Sequence, residues 1–365
     1  MPGNPSDETS PASESRRLYE DGTTDGLPVI PPTEERVAEM LRGTDHDPAH
    51  VLGVLGNNEN PLTVEALAAN AVMAGCLPTY LPVLEAGARA LADEESNSIQ
   101  FSVSTGSWAY QWLVNGPVRE TLGIHGGVGA FGPTVRANRT IARALGLAYR
   151  NTAEIHPGEK DMGVMGNPFK FGLLAGENEA ASPFEPYHVA HGFDAAESTI
   201  SLAGPNSWIQ WSPHENDAEH VLRGMIENTP PSMVGGEQQG GDFAQTVLHV
   251  LSPESASALA DAGLTRREVT EYVAANSYIP EERFQSGALW EGALEGYHGA
   301  VRSAQVPQVL GPEYVEVVVA GRGDAVNAVV GPSIGGPVRE PIRLPDGFDA
   351  LVEEYPVDGA PVGTA

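Results

Sequence analysis

Apolar residues recur at helical spacing in two neighbouring stretches. Val64, Leu67, Ala68, Ala71, Val72 and Gly75 share one face, with Thr63 in the N-cap position, and Leu81, Leu84, Ala88 and Leu91 form a second stripe over residues 80–92. Pro78 ends the first stretch near Cys76, so the pattern predicts a helical hairpin with the thiol at its corner. Upstream, DGLPVIPPTEERVAEMLRG joins a proline-rich extended piece to a helix that Thr33 caps and Glu34 and Glu35 favour electrostatically, so order is expected to begin near Asp25.

Short apolar, β-branched or aromatic runs predict strands at residues 99–103, 110–114, 198–203, 246–251 and 314–320. Helices are predicted at 135–149, after Ser252-Pro253-Glu254 and ending near Gly263, and after the capping-box pair Thr265 and Glu268. Residues 156–185 carry no clear period and are dense in glycine, proline and charge, as in functional loops. Strands alternating with helices place the chain in the α/β class, with a mixed or parallel sheet flanked by helices and a long glycine-rich functional loop region. The expected organisation is a disordered acidic arm over 1–24, an N-terminal α/β region over 25–195 carrying the candidate site, a C-terminal α/β region over 196–344 and a flexible tail over 345–365. No internal repeat is visible in the sequence.

The 365 residues carry 49 acidic and 20 basic side chains, a net charge of −29, which repels phosphate backbones and anionic lipid. Nucleic-acid and membrane partners are therefore not expected. No apolar run reaches the roughly 18–20 residues needed to cross a bilayer, and the start MPGNPSDETSPASESRR lacks the order of a secretory signal. The expected compartment is the cytoplasm. One cysteine, Cys76, excludes an intrachain disulfide and any site built from several thiolates.

Candidate chemistry gathers in three places. GIHGGVGAFGPT precedes the helix carrying Arg136 and Arg139; its amides, with Gly127 and Gly129, suit an anionic group, while its literal G-x-G-x-x-G lacks the strand that a dinucleotide fingerprint requires. Cys76 follows Asn70 and the small pair Ala74-Gly75, which permits close approach of a ligand. Glu177, Asn178 and Glu179 follow FGLLAG, a position from which a carboxylate can act as general base. His125, His156 and Lys170 are single candidates, and His188 and His191 have H-x-x-H spacing without a third ligand, so no metal is assigned. Walker A, H-E-x-x-H and C-x-x-C patterns do not occur, and no cofactor is implied.

DGLPVIPPTEERV, TVEALAANAVMAGCLPTYLPV, NGPVRETLGIHGGVGAFGPTVRANRTIARAL, GENEAASPFEP and EVVVAGRG together resemble a poorly characterised bacterial family associated with proteins that carry a UGSC selenocysteine or cysteine redox motif. The resemblance spans most of residues 25–343 and implies Asn70, Cys76, Asn115, Arg136, Asn138, Glu177, Asn178 and Glu179 as recurrent site residues. It also implies a thiol or selenol redox partner, since UGSC itself does not occur in this chain. The combined expectation is an enzyme of the lyase, hydratase or hydrolase type acting on a small carboxylated substrate, as a homodimer. Cys76, Glu177, Glu179 and His125 would perform the chemistry, while Asn70, Asn115, Gly127, Gly129, Arg136, Asn138, Lys170 and Asn178 would bind. Two other readings are a non-catalytic ligand-binding protein serving a redox system and a cofactor-dependent oxidoreductase.

Overall fold

A computed structural model describes residues 10–230, 245–280 and 305–357. The described helices are α1 (Pro11–Glu20), α2 (Glu34–Met40), α3 (Val64–Ala74), α4 (Leu81–Ala92), α5 (Ser98–Val103), α6 (Val118–Thr121), α7 (Arg136–Thr152), α8 (Tyr187–Ala190), α9 (Ala218–Asn228), α10 (Pro253–Asp261), α11 (Arg266–Asn276) and α12 (Phe348–Glu354). The strands are β1 (Val51–Leu55), β2 (Asn60–Thr63), β3 (Gln111–Asn115), β4 (Leu173–Gly176), β5 (Thr199–Ala203), β6 (Trp208–Trp211), β7 (Thr246–Leu251), β8 (Tyr278–Pro280), β9 (Gln305–Pro307), β10 (Val315–Val319), β11 (Asn327–Ser333) and β12 (Val338–Pro341). This is an α/β protein with mixed sheets.

The two main sheets have the same plan. In one, β3 lies between parallel β4 and antiparallel β5, and β12 closes the β5 side; in the other, β7 lies between parallel β10 and antiparallel β11, and β6 closes the β11 side. Each half of the chain therefore builds a sheet and donates its last strand to the other. The exchange occurs where two Gly-Pro segments cross: Gly204 N–H donates to Gly335 O (2.9 Å), Ile334 N–H to Gly204 O (3.2 Å), Asn206 N–H to Pro332 O (3.2 Å) and Gly331 N–H to Ser207 O (3.0 Å). The fold thus contains an internal topological duplication that the sequence does not display, and no cut at residue 195 separates the halves.

Alternation along the strands sorts the cores into layers. Trp112, Val114, Leu174, Ile200 and Leu202 pack with α3, α4 and α7, whereas Val247, Leu251, Val317, Val319 and Val329 pack with α9, α10 and α11. The opposite faces of the two sheets meet through Leu113, Ala175, Val250, Val318 and Val330. The order is helices, sheet, sheet, helices. Between the sheets Glu316 is buried, and its charge is met by Arg339 of the exchanged β12 (2.6 Å) and by His191 (3.1 Å).

The local end signals hold: Thr33, Thr63 and Ser252 cap their helices, and Thr265 and Glu268 form a reciprocal capping box. Four expectations change. Residues 99–103 are helical, with Phe101 and Ser102 buried on one face of α5. The stretch 156–185 contains β4, whose four residues are all buried. The arm carries α1, because Ser10 Oγ accepts the Ser13 N–H (3.2 Å) and Leu18 packs on the core. The tail carries α12, anchored by buried Phe348 and Leu351 and by Arg42–Glu354 at 2.5 Å. Residues 1–9 and 358–365 of the arm and tail lie outside the described residues. No helix among the described residues is long and apolar enough to cross a membrane.

Candidate functional site

The carboxyl ends of β3 and β4 gather four of the residues singled out in the sequence. Asn115 Nδ2 donates to Glu177 Oε2 (2.6 Å) and Glu179 Oε1 (3.2 Å), and the Gly116 N–H donates to Glu179 Oε1 (2.7 Å). Glu177 Oε2 also accepts the Tyr187 N–H (2.7 Å), and its Oε1 accepts from Arg266 (2.9 Å). Asn178 ties the same corner to the other half, donating from N to Val319 O and from Nδ2 to Gly321 O, both at 2.8 Å. The grouping read from the sequence is therefore real, but its geometry is that of a latch. Glu177 is 0 % exposed and both oxygens are engaged, so the expected role as a general base has no route to substrate. Glu179 retains slight exposure and lies 3.7 Å from Arg119.

The glycine-rich loop runs along this latch. A Cβ on Gly126 would come within 2.5 Å of Gly176 O and 2.8 Å of the Glu177 backbone, so glycine permits the close approach, and Gly126 O accepts the Gly321 N–H (2.8 Å). Asn138 is the loop's internal brace: Oδ1 accepts the His125 N–H (2.9 Å), and Nδ2 donates to His125 O, Ala130 O and Leu174 O (2.9–3.2 Å). His125 Nε2 lies 2.8 Å from Val128 O, Gly127 O and Gly129 O accept the Ala130 and Gly132 N–H groups, and Gly129 has φ +70°. The expected anion cradle thus has several amides turned inward. No strand leads into the first glycine, because α6 and a turn precede it.

Cys76 lies under the C-terminal end of α3, and burial pushes its thiol up to about 12 against the opposing pull of Thr140, Arg136 and Arg143. It is protonated at neutral pH, which does not suit the nucleophile expected there. Arg136 donates to Gly75 O from Nε and Nη2 (3.2 and 3.1 Å), and Asn70 accepts from Asn151 (2.7 Å) while donating to Ala66 O (2.8 Å). These three residues join α3 to α7. His188 is buried, whereas His191 is exposed and held by Glu316, so the two rings of the H-x-x-H pair lie in different surroundings. Among the described residues, the His/Cys/Asp/Glu cluster tight enough for an ion is Glu215, Asp217 and His220 at the surface.

Two cavities in the first half remain. One, about 450 Å³, is lined by both charged and apolar side chains and lies between the segment 43–52, α4 and residues 340–345. The buried Glu85 carboxylate on its wall accepts Thr44 Oγ1 (2.5 Å) and lies 3.1 Å from His46 Nδ1, and the His46 ring stacks on His50 with centroids 4.5 Å apart. Arg89 is held by Glu340 (3.2 Å) and Pro341 O (3.2 Å), whereas Arg343 has no hydrogen bond or ion pair among the described residues. A carboxylate facing Nδ1 accepts its proton and leaves Nε2 as the basic nitrogen. The other cavity, about 300 Å³, has aromatic walls and includes Lys170, paired with Asp161 at 2.6 Å.

Sequence reasoning missed His46, Glu85 and Arg343. The pattern H-x-x-x-H at 46–50 was a usable signal; Glu85, on an apolar helix face, was a second, since an acid buried there needs a partner. No family model and no curated protein matches the chain.

Proposed function

We propose that this chain is a small-molecule enzyme that performs addition–elimination or hydrolysis on a small carboxylated substrate, with the Glu85–His46 cavity as its active site. The carrying observation is the buried Glu85 carboxylate 3.1 Å from His46 Nδ1, in a cavity that also holds the uncommitted Arg343 guanidinium. His46 Nε2 takes a proton from water, or from the carbon next to the substrate carboxylate. Glu85 fixes the tautomer and stabilises the imidazolium that results, as the carboxylate does in other histidine–carboxylate pairs. Arg343 pairs with the substrate carboxylate and sets its orientation. General-base assistance of this kind contributes roughly 10²–10⁴ in rate.

The test follows small hydroxy and unsaturated carboxylic acids and their esters by proton NMR in the presence of the full chain. Turnover by the wild type, lowered about 10²–10⁴-fold in His46→Gln with circular dichroism and melting unchanged, supports the reading. Undiminished turnover by His46→Gln removes the dyad from it, and binding without turnover by the wild type converts it to a ligand-binding protein.

A further inference from the structure

We infer that the aromatic cavity is a second ligand site, built for a small aromatic carboxylate and separate from the Glu85–His46 cavity, with which it shares no lining residue. Its walls are largely aromatic. Tyr110 stacks on Phe101 (centroids 4.3 Å, 7° between planes), meets Tyr149 edge-on (5.3 Å) and tilts against Trp112 (6.1 Å); Trp108, Phe169 and Phe171 add to the aromatic lining. Such a wall rewards a flat ring through offset or edge contacts, each worth about 0.5–1.5 kcal/mol beyond the area buried. About 300 Å³ lies at the small end of ligand pockets, which suits a single ring with a short substituent.

The charge at the cavity selects the substituent. Arg143, Arg150 and Lys170 line it against Asp25 and Asp161, an excess of one cation in a chain whose net charge is −29. Arg143 is paired with Asp25 (2.7 and 2.8 Å) and donates to Pro28 O (3.0 Å), and Lys170 is paired with Asp161 (2.6 Å). Arg150 has no carboxylate partner among the described residues: its hydrogen bond to Gly22 O is stretched to 3.5 Å, and its buried Nε has no acceptor there. A guanidinium with unused donors beside an apolar wall calls for a planar anion, and a ring-bound carboxylate supplies both parts. The site does not depend on the reaction proposed above, since it rests on different residues.

Trp108 and Trp112 in the wall provide the readout. The full chain is titrated with benzoate and, separately, with benzyl alcohol, following tryptophan emission; Trp108→Phe identifies the signal. The expected result is a saturable change with benzoate, at least tenfold weaker binding of benzyl alcohol, and loss of the benzoate preference in Arg150→Ala. No saturable change with benzoate overturns the site, and equal affinity for the alcohol overturns the carboxylate assignment. Because the benzoate–alcohol comparison is made on the wild type, it decides the matter even if Arg150→Ala fails to fold; Arg150→Lys, which keeps the charge and loses the planar fork, should retain part of the preference.

Discussion

Arg266 and Glu177 meet at 2.9 Å with side chains 6 % and 0 % exposed, and they join the two halves of the molecule at the ends of their parallel strand pairs. The guanidinium also donates to Val317 O and Glu185 O, so one side chain of α11 is tied to β10, to the segment before α8 and to the end of β4. Removing one partner of such a pair strands a buried charge. Glu177→Ala should cost about 3–5 kcal/mol in urea denaturation, and replacing both residues by apolar ones should recover much of it. An unchanged midpoint in Glu177→Ala would contradict the latch and reopen a catalytic role for the carboxylate.

The Asn138 side chain holds a loop in place through four hydrogen bonds to backbone at His125, Ala130 and Leu174. Asn138→Ala leaves these buried groups unsatisfied, at a cost of about 2–4 kcal/mol, allowing for relaxation. Amide exchange by mass spectrometry should show faster exchange over residues 123–134 and little change in the second sheet. Uniform acceleration everywhere would mean that Asn138 acts on global stability alone.

The thiol of Cys76 offers the simplest test of the sequence expectation. With its ionisation pushed up to about 12, the thiolate fraction near pH 8 is about 10³-fold below that of an ordinary cysteine, and iodoacetamide should react correspondingly slowly until denaturant is added. The sign for stability follows from the same shift. The folded state keeps the proton longer than the unfolded chain, so this contribution is intact below about pH 9 and is lost as pH rises towards 12. Fast alkylation of the native protein at pH 7 would restore Cys76 as a candidate nucleophile.

Legibility followed the range of the interactions. Thr63, Ser252 and the Thr265–Glu268 box announce helix starts because their bonds close within three residues. Residues 99–103 misled because a short apolar run has no period of its own, and a left-handed Asn97 followed by burial against the sheet decides for helix. The strand exchange was invisible, since the backbone bonds joining Gly204 to Ile334 and Gly335 connect residues far apart in the chain. Glu177, Asn178 and Glu179 were legible as a group, with Asn115 named only through the family resemblance, but the role of the cluster was not. Whether a carboxylate is free or spent depends here on Arg266, which lies 89 positions from Glu177.

His249 gives the chain an acid sensitivity of defined sign. It sits on β7, fully buried, with Nε2 3.2 Å from Thr229 Oγ1 and Nδ1 without an acceptor, and burial pushes its ionisation down to about 3 from an ordinary value of 6.5. Between these limits the unfolded chain binds a proton that the folded protein refuses, so stability is complete above about pH 6.5 and falls as pH drops towards 3. Well inside that window one group contributes a slope of about 1.4 kcal/mol per pH unit. Urea denaturation at steps from pH 7.5 to 5.5 should therefore show a decline that is shallower in His249→Gln, the difference between the two proteins isolating this site from the other histidines. Parallel curves for the two would mean that the folded protein admits the proton, by opening the layer between β7 and α9 to water.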